Sequence, residues 1–145
     1  MKDSNFYENE SDVEALVRGF EDCTTRAADF THGAHLTVAL WYLRRSGMAT
    51  ATGMMRESLL RFIKHHHEQG YNETITVFWL RVVQSFLEKA HARGAEGRSM
   101  TELANALMAT YNDSRLIYDY YSKELLKTQA AKETFVEPDV RPLDF

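Results

Sequence analysis

Residues 31–47 read THGAHLTVALWYLRRSG. Thr31 stands where an N-cap hydroxyl would take a free backbone N–H of a first helical turn. Gly47 stands where a helix stops. Between them, Ala34, Leu36, Val38, Ala39, Leu40, Trp41, Tyr42 and Leu43 put apolar groups on almost every side. A helix that is apolar all round belongs in the middle of a bundle. The spacing therefore predicts a central helix over 32–46 with other helices packed around it.

The flanking sequence supplies those helices. Ser11 and Glu14 read as a capping box, and Val13, Leu16, Val17, Phe20 and Cys23 form an apolar stripe, so a helix is expected over 12–25. Thr52 reads as a cap and Gly70 as a stop, which brackets a helix over 53–69 with Met55, Leu59, Phe62 and Ile63 inward. Asn72 and Gly94 bracket the longest helix, 73–93. A second capping box, Ser99 and Glu102, opens another helix, and shorter pieces are expected at 114–121 and 123–132. The chain of 145 residues has only 7 Gly and 2 Pro, Pro138 and Pro142. So few breakers argue against a barrel or sandwich. The expectation is an all-α, single-domain bundle of five or more helices over 1–145. Residues 1–10 are read as flexible, 11–132 as the helical body and 133–145 as an extended tail.

Charge and cysteine content narrow the partners. Lys and Arg number 17 against 21 Asp and Glu, a formal charge of −4. The basic residues are scattered, so a nucleic-acid partner, which needs a basic patch, is not expected. The single Cys23 can form no internal disulfide, which fits a cytoplasmic location. The first twelve residues have neither a basic start nor an apolar run, so no signal peptide is expected. No apolar stretch is long enough to span a bilayer.

The functional signal is polar groups on inner faces. His32 and His35 fall on the same stripe as Leu36, Ala39 and Leu43, in the first turn of the central helix. That end of a helix disfavours imidazolium, and neutral imidazole can bind metal or accept a proton. The bland alternative is a pair of core histidines hydrogen-bonded to backbone. In Gly70-Tyr-Asn-Glu-Thr-Ile-Thr76, Glu73 and Thr76 are expected to face inward beside Ile75 and Trp79. A desolvated Glu73 near two imidazoles suits a general base or an oxygen ligand. Its bland alternative is a carboxylate favoured by the helix N-terminus. The run His65-His66-His67 places only His66 inward, because successive helical side chains diverge by about 100°. Glu88 and His91 form a Glu-x-x-His pair, but a di-iron bundle needs a second pair plus two more Glu on facing helices; no second pair occurs, and the central helix has no acidic residue. Arg56, Arg81 and Arg115 could meet an anion, and nothing in the sequence selects among them.

Several stretches together carry a resemblance: Asp29-Phe-Thr-His-Gly-Ala-His-Leu-Thr-Val-Ala-Leu-Trp-Tyr-Leu43, then Gly70-Tyr-Asn-Glu-Thr-Ile-Thr76, then Phe135-Val-Glu-Pro-Asp-Val-Arg-Pro-Leu143. In this order they resemble an uncharacterised family of small all-helical bacterial proteins. The resemblance implies a fold and a location but no activity. The family pattern commonly has His where this chain has Asn72, and that departure counts against an obligatory metal. The tail around Pro138, Asp139 and Pro142 is expected to fold back over the bundle.

The functional expectation is a cytoplasmic protein with a polar pocket at the starts of the second and fourth helices. His32, His35 and Glu73 are its candidate catalytic residues, and the same three are its candidate ligands for a divalent metal. Thr31, Asn72, Thr76 and Trp79 are the candidate binding residues for a small, anionic or metal-associated molecule. Whether a reaction occurs is left open. The competing expectation is a non-catalytic homodimer or scaffold that uses one apolar face of the central helix as its seam.

Overall fold

The computed structural model describes residues 6–94 and 97–145. The described residues are helical, with no strand among them. The helices are α1 (Glu10–Glu21), α2 (His32–Arg45), α3 (Met48–His65), α4 (Glu73–Ala92), α5 (Met100–Thr110), α6 (Lys123–Leu126) and α7 (Gln129–Glu133), with 3-10 turns at Ala27–Asp29 and Ser114–Asp119.

Caps explain most boundaries. Thr31 accepts from the Ala34 N–H, Asn72 accepts from the Ile75 N–H, and Ser99 and Glu102 close a reciprocal box. Several expected boundaries move: α1 spans Glu10–Glu21 and α3 spans Met48–His65. α1 begins earlier because Asn9 and Asp12, not Ser11 and Glu14, form the capping box. α3 begins at Met48, directly after a cap at Gly47 that uses no side chain. Thr52 lies inside it and donates back to the Met48 carbonyl. α3 also ends before Gly70, because His67 adopts the left-handed conformation at φ 57° and the Glu68 N–H returns to the Ile63 carbonyl. His66 is half-buried against Phe62, with His65 and His67 exposed on either side.

α2 packs against α1, α3, α4 and α5. Leu36, Val38 and Leu40 are fully buried, and Ala39 and Tyr42 nearly so. The apolar faces read as a possible dimer seam are thus covered by the chain's own helices. Phe20, Phe30 and Phe62 meet in this core, with Phe20 and Phe30 stacked at 4.3 Å. A second cluster gathers Phe78, Val82, Ile117, Tyr120, Tyr121 and Leu126. The half-buried Trp79 on α4 touches both clusters.

The N-terminal segment is pinned at Tyr7, whose backbone exchanges hydrogen bonds with Asn105 and whose hydroxyl donates to Thr37. Within the segment expected to be flexible, residues 1–5 lie outside the described residues, while Asn9 caps α1 and Glu10 begins it.

The tail folds back over the bundle, as expected. Asp139 accepts from the Ser122 N–H and hydroxyl at the start of α6. Tyr121 donates to the Val136 carbonyl, and Tyr120 donates to Asp144. Phe145 packs edge-on against both Phe78 and Tyr120. No described helix is long and apolar enough to cross a membrane.

Candidate functional site

The first turn of α2, the middle of α3, the first turns of α4 and the 3-10 turn at Ser114–Asp119 enclose a cavity of about 560 Å³. Its apolar wall includes Met55, Leu59 and Ile63 from α3 and Ile75 from α4. This size suits one small organic molecule.

The two histidines of α2 reach this cavity because they lie one helical turn apart on one face. Both line it. The His32 Nε2 is 3.0 Å from the Tyr111 carbonyl oxygen. A carbonyl can only accept, so this contact assigns the proton to Nε2. The His32 ring meets Trp79 edge-on at 4.5 Å. Burial holds its pKa below the ordinary value, against the opposing pull of the Tyr111 carbonyl and Asp113.

His35 sits deeper. Its ring is tilted against Phe30 at 4.3 Å. Burial pushes its pKa down to about 4, with the neighbouring His32 adding to the shift. At neutral pH it is an uncharged imidazole with one donor and one acceptor nitrogen. Neither nitrogen is hydrogen-bonded to a described residue, and neither is sealed from solvent-sized space. Both are therefore without a partner among the described residues, in a residue that lines the cavity. The bland reading, a core histidine tied to backbone, holds for His32 and fails for His35.

Glu73 has the opposite situation. It is only 7% exposed. Arg56 grips its carboxylate through Nε at 2.9 Å and Nη2 at 2.6 Å, and the Tyr71 hydroxyl donates to it at 2.6 Å. The Arg56 hydrogen bonds hold its pKa below the usual carboxylate range, against burial, with Tyr71 assisting. The same pairing raises the Arg56 pKa. Glu73 does not line the cavity. The expected trio of His32, His35 and Glu73 is therefore not assembled. The carboxylate is already occupied, so it serves neither as a free base nor as an open metal ligand. Among the described residues, no group of three or more His, Cys, Asp or Glu is placed to hold a metal ion.

The expected binding residues divide in the same way. Thr31 is exposed and only caps α2. Asn72 reaches the cavity wall, but its Oδ1 caps α4 and its Nδ2 donates to the Leu126 carbonyl at 2.8 Å. Thr76 is on the wall and donates back to the Asn72 carbonyl. Trp79 is on the wall, and its indole N–H has no hydrogen-bond partner among the described residues.

Three arginines were open as anion ligands. Arg56 is held by Glu73, and Arg81 lies over the Phe135 ring at 4.5 Å. Arg115 reaches the cavity rim, 82% exposed and paired with Asp113. Phe30, Leu80, Ser114, Ile117 and Tyr118 are wall residues that the sequence did not single out and that the tertiary fold brings to the cavity. Comparison with known proteins adds no name to this site: no family model, curated protein or solved structure matches the chain.

Proposed function

We propose that the cavity between the starts of α2 and α4 binds a small organic molecule, with His35 as the group that orients it. The observation that carries this reading is the His35 imidazole, neutral and without a hydrogen-bond partner among the described residues, on the wall of a largely apolar and aromatic cavity. Water can reach its nitrogens, and a bound ligand that offers a partner replaces that water with a hydrogen bond worth about 0.5–1.5 kcal/mol net. Nothing in the packing of α2 requires a polar group here, since Leu36 and Ala39 beside it are ordinary core residues.

A binding role fits this imidazole better than general-base catalysis. A base with a pKa near 4 gives little driving force for proton abstraction at neutral pH. It remains an effective hydrogen-bond acceptor there. The metal-assisted reading loses its oxygen ligand, because Glu73 is committed to Arg56 and Tyr71.

The test is a ligand-observed NMR screen of small organic fragments against the wild type and Ile63→Trp, which places an indole in the cavity. Fragments that bind the wild type should lose binding to Ile63→Trp while the variant still unfolds cooperatively. Hits that survive the plug would place binding elsewhere and end this reading.

A further inference from the structure

The wall of the cavity also specifies the kind of molecule that fits, and this step rests on the binding reading above. Arg115 is the one charged residue among the described wall residues, apart from the neutral imidazoles, and Asp113 already neutralises it at the rim. The Arg56–Glu73 pair is closed on itself. An ionised ligand would therefore lose its hydration without gaining a countercharge, which is costly in an apolar site.

Aromatic rings make up much of the rest: Phe30, His32, His35, Tyr71, Trp79 and Tyr118. Within the wall, the ring pairs meet at an angle, Phe30 with His35 at 51° and His32 with Trp79 at 69°. They are not stacked on each other, so an added flat ring can extend either pair by offset or edge contact. Several of the wall's other polar groups are engaged: Asn72 Oδ1 receives the Ile75 N–H, and the Tyr71 and Thr76 hydroxyls donate to Glu73 and to the Asn72 carbonyl. His32 Nδ1 has no partner among the described residues but belongs to the shallower ring, and Ser114 and Tyr118 are exposed. The acceptor nitrogen of His35 is free.

From this arrangement we infer that the ligand is an uncharged, planar aromatic or heteroaromatic molecule with an N–H or O–H that donates to the His35 imidazole.

The experiment is a protein-observed NMR titration at neutral pH with four probes. Indole is flat, neutral and has an N–H. Benzofuran has the same shape without the donor. Naphthoate is flat and anionic, and octanol is neutral and aliphatic. Indole should shift the resonances of the cavity wall and bind about three- to tenfold more tightly than benzofuran, the worth of one net hydrogen bond. His35→Leu should erase that ratio while both probes still bind, and His35→Gln, which keeps a carbonyl acceptor, should retain part of it. Naphthoate and octanol should bind more weakly than indole. If either of them outbinds indole, the inferred ligand class is wrong while the site stands. An indole preference that persists in His35→Leu would show that the donor is received elsewhere, and overturn the inference. If no probe shifts the wall residues, the site reading falls as well.

Discussion

The starts of α2 and α4 look alike in sequence and differ in the folded chain. Each places polar side chains on a face that otherwise reads as core. At α4 every one of them is matched. Asn72 caps its own helix and holds the Leu126 carbonyl, and Glu73 takes Arg56 and Tyr71. Thr74 bridges to the tail, with its hydroxyl within hydrogen-bond distance of the Ala131 and Thr134 carbonyls and accepting from the Val136 N–H. At α2, Thr31 is matched, His32 is anchored through Nε2, and His35 is held by no described residue. Inward polarity alone therefore does not mark a site. A saturated polar group ties elements together, whereas an unsatisfied one facing a cavity has capacity left for a ligand.

Breaking the α4 side should have the largest effect. Glu73→Leu strands the Tyr71 hydroxyl and frees the half-exposed Arg56 guanidinium. It should cost about 3 kcal/mol in urea unfolding, at the lower end for losing one partner of a buried pair because Arg56 can retreat into water.

The α2 side should show itself through pH. The folded-state pKa of His35 lies near 4, below its ordinary value of 6.5, and the only charged-state neighbour acting on it is His32. The unfolded chain takes up this proton near pH 6.5 while the folded chain resists it. Stability from this group is therefore full above pH 6.5, falls as pH drops toward 4, and falls no further below that. Allowing for partial solvent access, wild type should lose about 2 kcal/mol more than His35→Leu between pH 7 and pH 4. Equal losses in the two proteins would mean that His35 titrates normally.

Thr74→Val keeps the shape and removes the hydroxyl, leaving buried carbonyls of the α7 and tail region without it. It should cost about 2 kcal/mol. The loss should be seen first as faster amide hydrogen exchange around Val136. Asp139→Ala should have the smallest effect, seen as faster amide hydrogen exchange at Ser122 because the exposed tail carboxylate no longer accepts from its N–H and hydroxyl.

How much of this was readable beforehand follows from the range of each interaction. The starts of α2, α4 and α5 were legible because Thr31, Asn72 and Ser99 act within three residues of themselves. The start of α1 was misplaced because Asn9 and Ser11 are both competent caps, and the choice went to the pair with Asp12. The end of α3 was missed because a histidine, His67, took the left-handed position usually signalled by glycine. His32 and His35 could be placed on one face from spacing alone. The partner of Glu73 could not, because Arg56 lies 17 residues away and the sequence offers no reason to prefer it over other arginines. The role of Thr74 depends on residues 57 to 62 positions downstream, beyond any local pattern. Inward-facing groups were thus visible, but whether each was satisfied was not.

The most direct test is the stability of His35→Leu and Glu73→Leu measured side by side by urea unfolding at pH 7. Removing an imidazole that no described residue holds should leave stability within about 1 kcal/mol of wild type, while removing the gripped carboxylate should lower it by about 3 kcal/mol. A clear loss in Glu73→Leu alone is the predicted result. If both substitutions destabilise to a similar extent, His35 is part of the scaffold, and the contrast between the two helix starts is wrong.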